Sequence, residues 1–171
     1  MLFRSNQHDY LASNLQGKYA NVGVGRDDGE RAGEFATVFY NKGKFNLLDS
    51  GTFWLSPTPD KPGSKGWDAL LPRIATWVKL QFHSDPSRIV FVLNTHFDHI
   101  GIEARKQSAL ILKQFANWHN GYPVIFMGDL NSNESSEAYK ELTSNFIDGY
   151  RVIFPYPAAD QATTHQFTGN P

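Results

Sequence analysis

The sequence predicts a mixed α/β (α+β) fold, a sandwich of two mixed β-sheets flanked by helices. Three observations point there. Short β-type segments separated by turns fill the first half, and the second half runs strand, helix, strand. Two apolar runs, IVFVL at 89–93 and VIFM at 124–127, read as strands covered on both faces. The chain has 171 residues, 40% of them hydrophobic and 13 of them Phe, enough for one domain over 1–171 with a thick aromatic core.

Each element has its own signal. QHDYLASNL (7–15) reads as the end of a helix stopped at Gly17. YANVGV (19–24) is a strand, GRDDGERAG (25–33) a polar loop, and FATVFY (35–40) a β-branched and aromatic strand. Asn41–Lys44 is expected to turn a hairpin into a return strand at 45–48, with another short strand at 52–55. The stretch 56–72 carries four Pro and two Gly and is a long loop of the functional kind; Trp54 and Trp67 stack on a ligand there or pack the loop onto the sheet. In 73–82 the residues Val78, Leu80 and Phe82 alternate with Lys79 and Gln81, as in a half-buried strand. Residues 103–119 form a helix whose stripe is Ala104, Ser108, Ile111, Leu112 and Phe115, ended by Gly121 and Pro123. A short helix at 135–144 has Glu134 and Glu137 at its positive end, and the chain turns loop-like after Phe154.

Charge and composition exclude several classes. Sixteen Lys and Arg balance 17 Asp and Glu, so broad electrostatic capture of nucleic acid is not expected. Cysteine is absent, which removes disulfides, thiolate catalysis and Cys-ligated zinc. No run approaches a membrane span, and MLFRSNQHDY has no apolar core of a signal peptide, so the compartment stays open.

Chemistry concentrates in two clusters, each directly after an apolar strand: Asn94-Thr95-His96-Phe97-Asp98-His99-Ile100-Gly101 and Gly128-Asp129-Leu130-Asn131. Strand ends of α/β sheets hold polar groups rigidly at the edge of the core. A carboxylate there can orient or deprotonate water, a carboxamide can meet developing negative charge, and an imidazole can donate to a phosphoryl oxygen. With a divalent cation, these parts suit hydrolysis of a phosphate ester. Alone, Gly-Asp-Leu-Asn is an ordinary turn and His99 a structural or solvated residue; two clusters in order favour the chemistry.

Together with GRDDGERAGEFATVFY, LPRIATWVKLQF, ARKQSA and THQFTG, these clusters make the sequence resemble the endonuclease/exonuclease/phosphatase superfamily, of DNase I-like fold, and its bacterial branch in particular. The resemblance implies that His96 contacts the scissile phosphate, that Asp129 activates the attacking water, and that Asn131 holds Asp129 and stabilises the transition state. It places Glu34 beside His96, where it would fix the tautomer and raise the imidazole pKa, unless it is a plain strand-edge carboxylate. Arg26 and Arg73 match arginines that hold substrate phosphates, or are surface ion pairs. Thr163, Thr164 and His165 match a loop near the site, and Asp98 supports its own loop. The implied partners are Mg²⁺ (or Mn²⁺) and a phosphate-ester substrate, nucleic acid among the options, acted on by a monomer. Two other readings compete. THFDHIG is similar to the His-x-His-x-Asp-His zinc motif of metallo-β-lactamases, with Asn94 at its first His. The domain could also be degenerate, binding a phosphate ligand or a protein without catalysis.

The resemblance also carries expectations about what does not match. The family's early Gln-Glu, with its main metal ligand, and its final Ser-Asp-His have no counterpart, so the fold reads as incomplete at both termini. Asp129 and Asn131 would then be the remaining, weak metal ligands, a longer version the Mg²⁺-dependent phosphoesterase, and this chain's own turnover low. Exposed sheet edges are expected with it.

Overall fold

The structure, a computed structural model, describes residues 3–119 and 121–156. Thr163, Thr164 and His165 lie outside the described residues. The elements run β1 (Phe3–Arg4), α1 (Ser5–Leu15), β2 (Tyr19–Val22), β3 (Glu34–Phe35), β4 (Val38–Asn41), β5 (Phe45–Trp54), β6 (Ile74–Phe82), β7 (Asp85–His96), α2 (Ile102–Trp118), β8 (Val124–Asp129), α3 (Glu137–Thr143) and α4 (Gly149–Ile153).

The main sheet has the order β5-β6-β7-β8. Its first two pairings are antiparallel, and β7 lies parallel to β8 across the α2 crossover. Two two-stranded ladders, β1-β3 and β2-β4, complete the β structure. Strand alternation divides the core in two. Phe91 and Leu93 of β7 and Ala75 of β6 face α2, where they meet Ala109, Leu112 and Phe115. Val78, Leu80 and Val90 point the other way, against Val38 of β4, with Val22, Tyr40, Phe45 and Phe82 around them. The helix stripe read from the sequence is therefore the buried one, extended by Ala109 and Ala116.

Three expectations fail for physical reasons. The turn at 42–44 does not close a hairpin: β4 pairs with β2, and the chain then crosses to the main sheet, where β5 pairs with β6. The two short strands expected at 45–48 and 52–55 are one strand with a register shift between Leu47 and Asp49. The strand β8 is not covered on both faces. Its partners in register are Val92 for Ile125, Asn94 for Met127 and His96 for Asp129, so these side chains share the face that β2 and β4 cover farther along the sheet. That cover reaches β6 and β7 but leaves Ile125 and Met127 about half exposed. The helix α4 had no strong sequence signal; Asp148 caps it by accepting from Tyr150 and Arg151 N–H.

Candidate active site

The register of β7 and β8 builds the site. His96 and Asp129 are paired residues at the C-terminal ends of parallel neighbours, so both side chains leave the sheet on one face. Gly128 makes the approach possible: its φ is +140°, and a Cβ there would lie 2.0 Å from the Thr95 carbonyl oxygen. Asn131, at φ +45°, turns the chain back. Its N–H donates to Asp129 Oδ1 at 2.9 Å, and its Nδ2 donates both to Phe97 O at 2.9 Å and to His96 Nε2 at 2.8 Å. Because a carbonyl can only accept, the Phe97 contact fixes which amide atom faces inward. His96 Nε2 must then be the acceptor, and the ring proton sits on Nδ1.

Nδ1 points to Glu34 Oε2 at 3.7 Å, beyond hydrogen-bond length, and has no hydrogen-bond partner. Glu34 is otherwise engaged: Arg26 Nη1 donates to the same oxygen at 2.5 Å. The loop 25–33 sets that pair, since Arg26 N–H donates to Glu34 O and the indole of Trp54 donates to Arg26 O at 2.7 Å. Glu34 thus sits beside His96 as the resemblance implied, but the imidazole pKa moves the other way. Burial and then the positive Arg73 lower it to about 4, against the smaller pull of Asp129 and Glu34. His96 is neutral at physiological pH.

Arg73 and Arg26 are not surface ion pairs; they are 3% and 8% exposed. Arg73 Nε donates to Asp98 Oδ2 at 3.3 Å and Nη2 to His99 Nδ1 at 2.8 Å, while Nη1 is buried without a partner. Arg26 Nε is likewise buried without a hydrogen-bond partner, 3.6 Å from Asp27 Oδ1. Burial and the nearby Arg26 charge hold the Arg73 pKa down. Asp98 does support its own loop: it accepts from Ile100, Gly101 and Leu71 N–H. Burial disfavours its charge, but these donors prevail and hold the carboxyl well below its ordinary value.

The zinc-hydrolase alternative fails on the same residues. Asn94 is buried and donates to Thr37 O, and the Asp98 carboxylate is spent on N–H donors. Among the described residues, no group of three or more His, Asp or Glu could hold a metal. Asp129 and Asn131 offer one carboxylate and one carboxamide, which fits Mg²⁺ only as a minor share of a shell completed by water and phosphate oxygens. Trp54 ends β5 and is buried, whereas Trp67 in the long loop is 39% exposed at φ 54°. His99, expected from the sequence to be structural or solvated, is exposed and accepts from Arg73 Nη2.

No family model matches the chain. Solved structures do. An endonuclease/exonuclease/phosphatase of Bacteroides vulgatus is 46% identical over 82% of this chain and 54% of its own, with a TM-score of 0.77. A mannosyl-6-phosphatase of Bacteroides thetaiotaomicron is 39% identical over 81% of this chain and 52% of its own, at 0.75. The catalytic domain of human nocturnin, 18% identical, shares the fold at 0.70 over 94% of this chain and 60% of its own. A protein of Acanthamoeba polyphaga mimivirus is 27% identical over an alignment of 143 positions that covers 71% of this chain and 21% of that protein. The chain spans about half the length of the Bacteroides proteins it matches.

Proposed function

We propose that this chain, which belongs to the endonuclease/exonuclease/phosphatase superfamily and has its DNase I-like fold, provides the phosphate-handling site of a phosphomonoesterase acting on a phosphorylated sugar. The observation that carries this reading is the pair of buried guanidiniums beside His96. Each guanidinium is paired with a carboxylate, Arg26 with Glu34 and Arg73 with Asp98, and each keeps an N–H without a hydrogen-bond partner that phosphoryl oxygens of a monoester dianion would accept from. The 39% identity to a mannosyl-6-phosphatase supports a sugar as the alcohol portion.

The residues divide the work. Arg26 and Arg73 bind phosphoryl oxygens and meet the charge that grows on them. Asp129, its Oδ1 held by Asn131 N–H, uses Oδ2 to orient a water and take its proton as the water oxygen bonds to phosphorus. The phosphorus–oxygen bond to the sugar breaks with its electron pair going to the sugar oxygen, which is protonated by solvent water as it leaves. His96 is neutral in the free protein, with Nε2 accepting from Asn131 Nδ2; an arriving dianion raises its proton affinity, and a proton taken up on Nε2 would require Asn131 Nδ2 to give up that contact. Mg²⁺ or Mn²⁺, held by Asp129 and Asn131 with substrate oxygens, would supply further charge neutralisation.

The test is phosphate release from mannose 6-phosphate with Mg²⁺ by the 171-residue chain and its His96→Ala variant. Turnover that needs His96 supports the reading. Failure to bind or hydrolyse any monoester overturns it. Calorimetry adds a second check: Mg²⁺ binding is expected to be weak alone and at least about tenfold tighter with phosphate present, because the described residues offer the single carboxylate of Asp129 beside Asn131.

A further inference from the structure

Resting on the phosphomonoester reading, we propose that His99 is a specificity residue, donating a hydrogen bond from Nε2 to an oxygen of the substrate's alcohol portion. Arg73 sets the tautomer of His99. A guanidinium has donors only, so its 2.8 Å contact to His99 Nδ1 requires that nitrogen to accept. The ring proton is therefore on Nε2, on the side of the imidazole away from Arg73. His99 is exposed, while Arg73 behind it is 3% exposed. The imidazole thus stands one layer outward from the phosphate-binding guanidinium. A phosphate seated on Arg73 leaves only its ester substituent to extend through that outer layer.

The ring is held firmly for a surface side chain. Asp98 fixes Arg73 from one side, and the same carboxylate accepts the N–H of Ile100 and Gly101, immediately after His99. A donor locked in place before binding spends little entropy on contact. A neutral N–H also adds no charge to a site that already holds two cations. It selects for an acceptor oxygen, such as a sugar hydroxyl, over an apolar leaving group.

Two substitutions separate this role from support of Arg73. In His99→Asn the side-chain oxygen occupies the place of Nδ1 and can still accept from Arg73, but the outer donor is lost. His99→Ala loses both. We expect both variants to lower kcat/KM for mannose 6-phosphate about 3- to 10-fold, as an uncharged hydrogen bond would, and His99→Asn to lower it more than kcat/KM for p-nitrophenyl phosphate, which carries no hydroxyl on its leaving group. Binding of mannose 6-phosphate should weaken by the same factor, and binding of inorganic phosphate should hold. Nitrogen-15 NMR of the free protein should show the Nε2–H tautomer at His99. An Nδ1–H tautomer, or His99→Asn behaving as wild type on the sugar phosphate, overturns the inference and leaves the phosphatase reading standing. If the wild type neither binds nor hydrolyses any monoester, that reading falls and the inference with it.

Discussion

The two flanks of the candidate site handle charge in opposite ways. On the flank of β6, β7 and the loop 25–33, Arg73 is 3% exposed and Asp98 1%, and the ionic groups are locked to one another or to backbone N–H. On the flank of β8, the Asp129 side chain is 58% exposed and leans on one backbone N–H from Asn131. The comparison teaches which part is architecture and which is chemistry. A buried guanidinium binds an anion strongly but must be compensated when the site is empty, so it is tied into the core. A carboxylate that moves a proton needs water and freedom, and losing it releases only the Asn131 N–H, on an exposed flank where water can accept it.

The largest effects would come on the open flank, and on rate alone. Asp129→Ala and His96→Ala should each lower kcat for monoester hydrolysis by about 10² to 10⁴, as loss of a general acid or base does. The Asp129 variant should melt within a degree or two of wild type in circular dichroism. A variant that unfolds, or one that keeps its rate, breaks the division between the flanks.

The locked flank should respond in stability first. Asp98→Ala strands Arg73 in the interior and removes the acceptor for three backbone N–H groups. Breaking a buried pair from one side costs about 3–5 kcal/mol, measurable as a shift of the urea midpoint. If Asp98→Ala costs no more than Asp129→Ala, the guanidinium is not held as described.

The pH dependence sharpens the contrast at His96, which joins the two flanks. Its pKa in the folded protein is lowered to about 4, below the value of about 6.5 for a free histidine. The unfolded chain therefore binds the extra proton first as pH falls. The stability that His96 contributes is complete above about pH 6.5 and is lost progressively as pH drops from there toward 4. Urea denaturation from pH 7 to 4.5 should show this slope, and His96→Gln should flatten it. Glu34→Gln removes one of the influences that raise the pKa, so NMR titration should find the His96 midpoint lower still.

How much of this was legible in the sequence follows the same division. His96, Asp129 and Asn131 could be read because each follows an apolar strand, and their meeting needs only the parallel pairing of those strands. Arg26 lies in a loop and Glu34 opens the two-residue strand β3 that follows it, and what brings them to His96 is a fold of residues 25–33 that local propensity does not determine. The expected rise in the His96 pKa failed for a tertiary reason. It was inferred from one partner, whereas burial and Arg73 outweigh Glu34. The hairpin at 42–44 failed likewise, because a turn shows that the chain reverses without showing which strand receives it. Coverage of β8 could not be read from VIFM either, since an apolar run does not say how far the facing layer extends.

That last failure gives the smallest and most local test. Val124 and Phe126 pack against the core under α2, whereas Ile125 and Met127 are 49% and 47% exposed on the opposite face of the same strand. Replacing Ile125 and Met127 together by Thr should change stability by about 0.5 kcal/mol or less, because little apolar area is returned to water. Phe126→Ala, one position away, should cost about 2–4 kcal/mol through lost burial and the cavity left under α2. Equal costs for the two variants would mean that both faces of β8 are covered in solution, by a second molecule if not by this chain. Sedimentation at the concentrations used for the melts would tell these apart, since a surface covered by association returns to water on dilution.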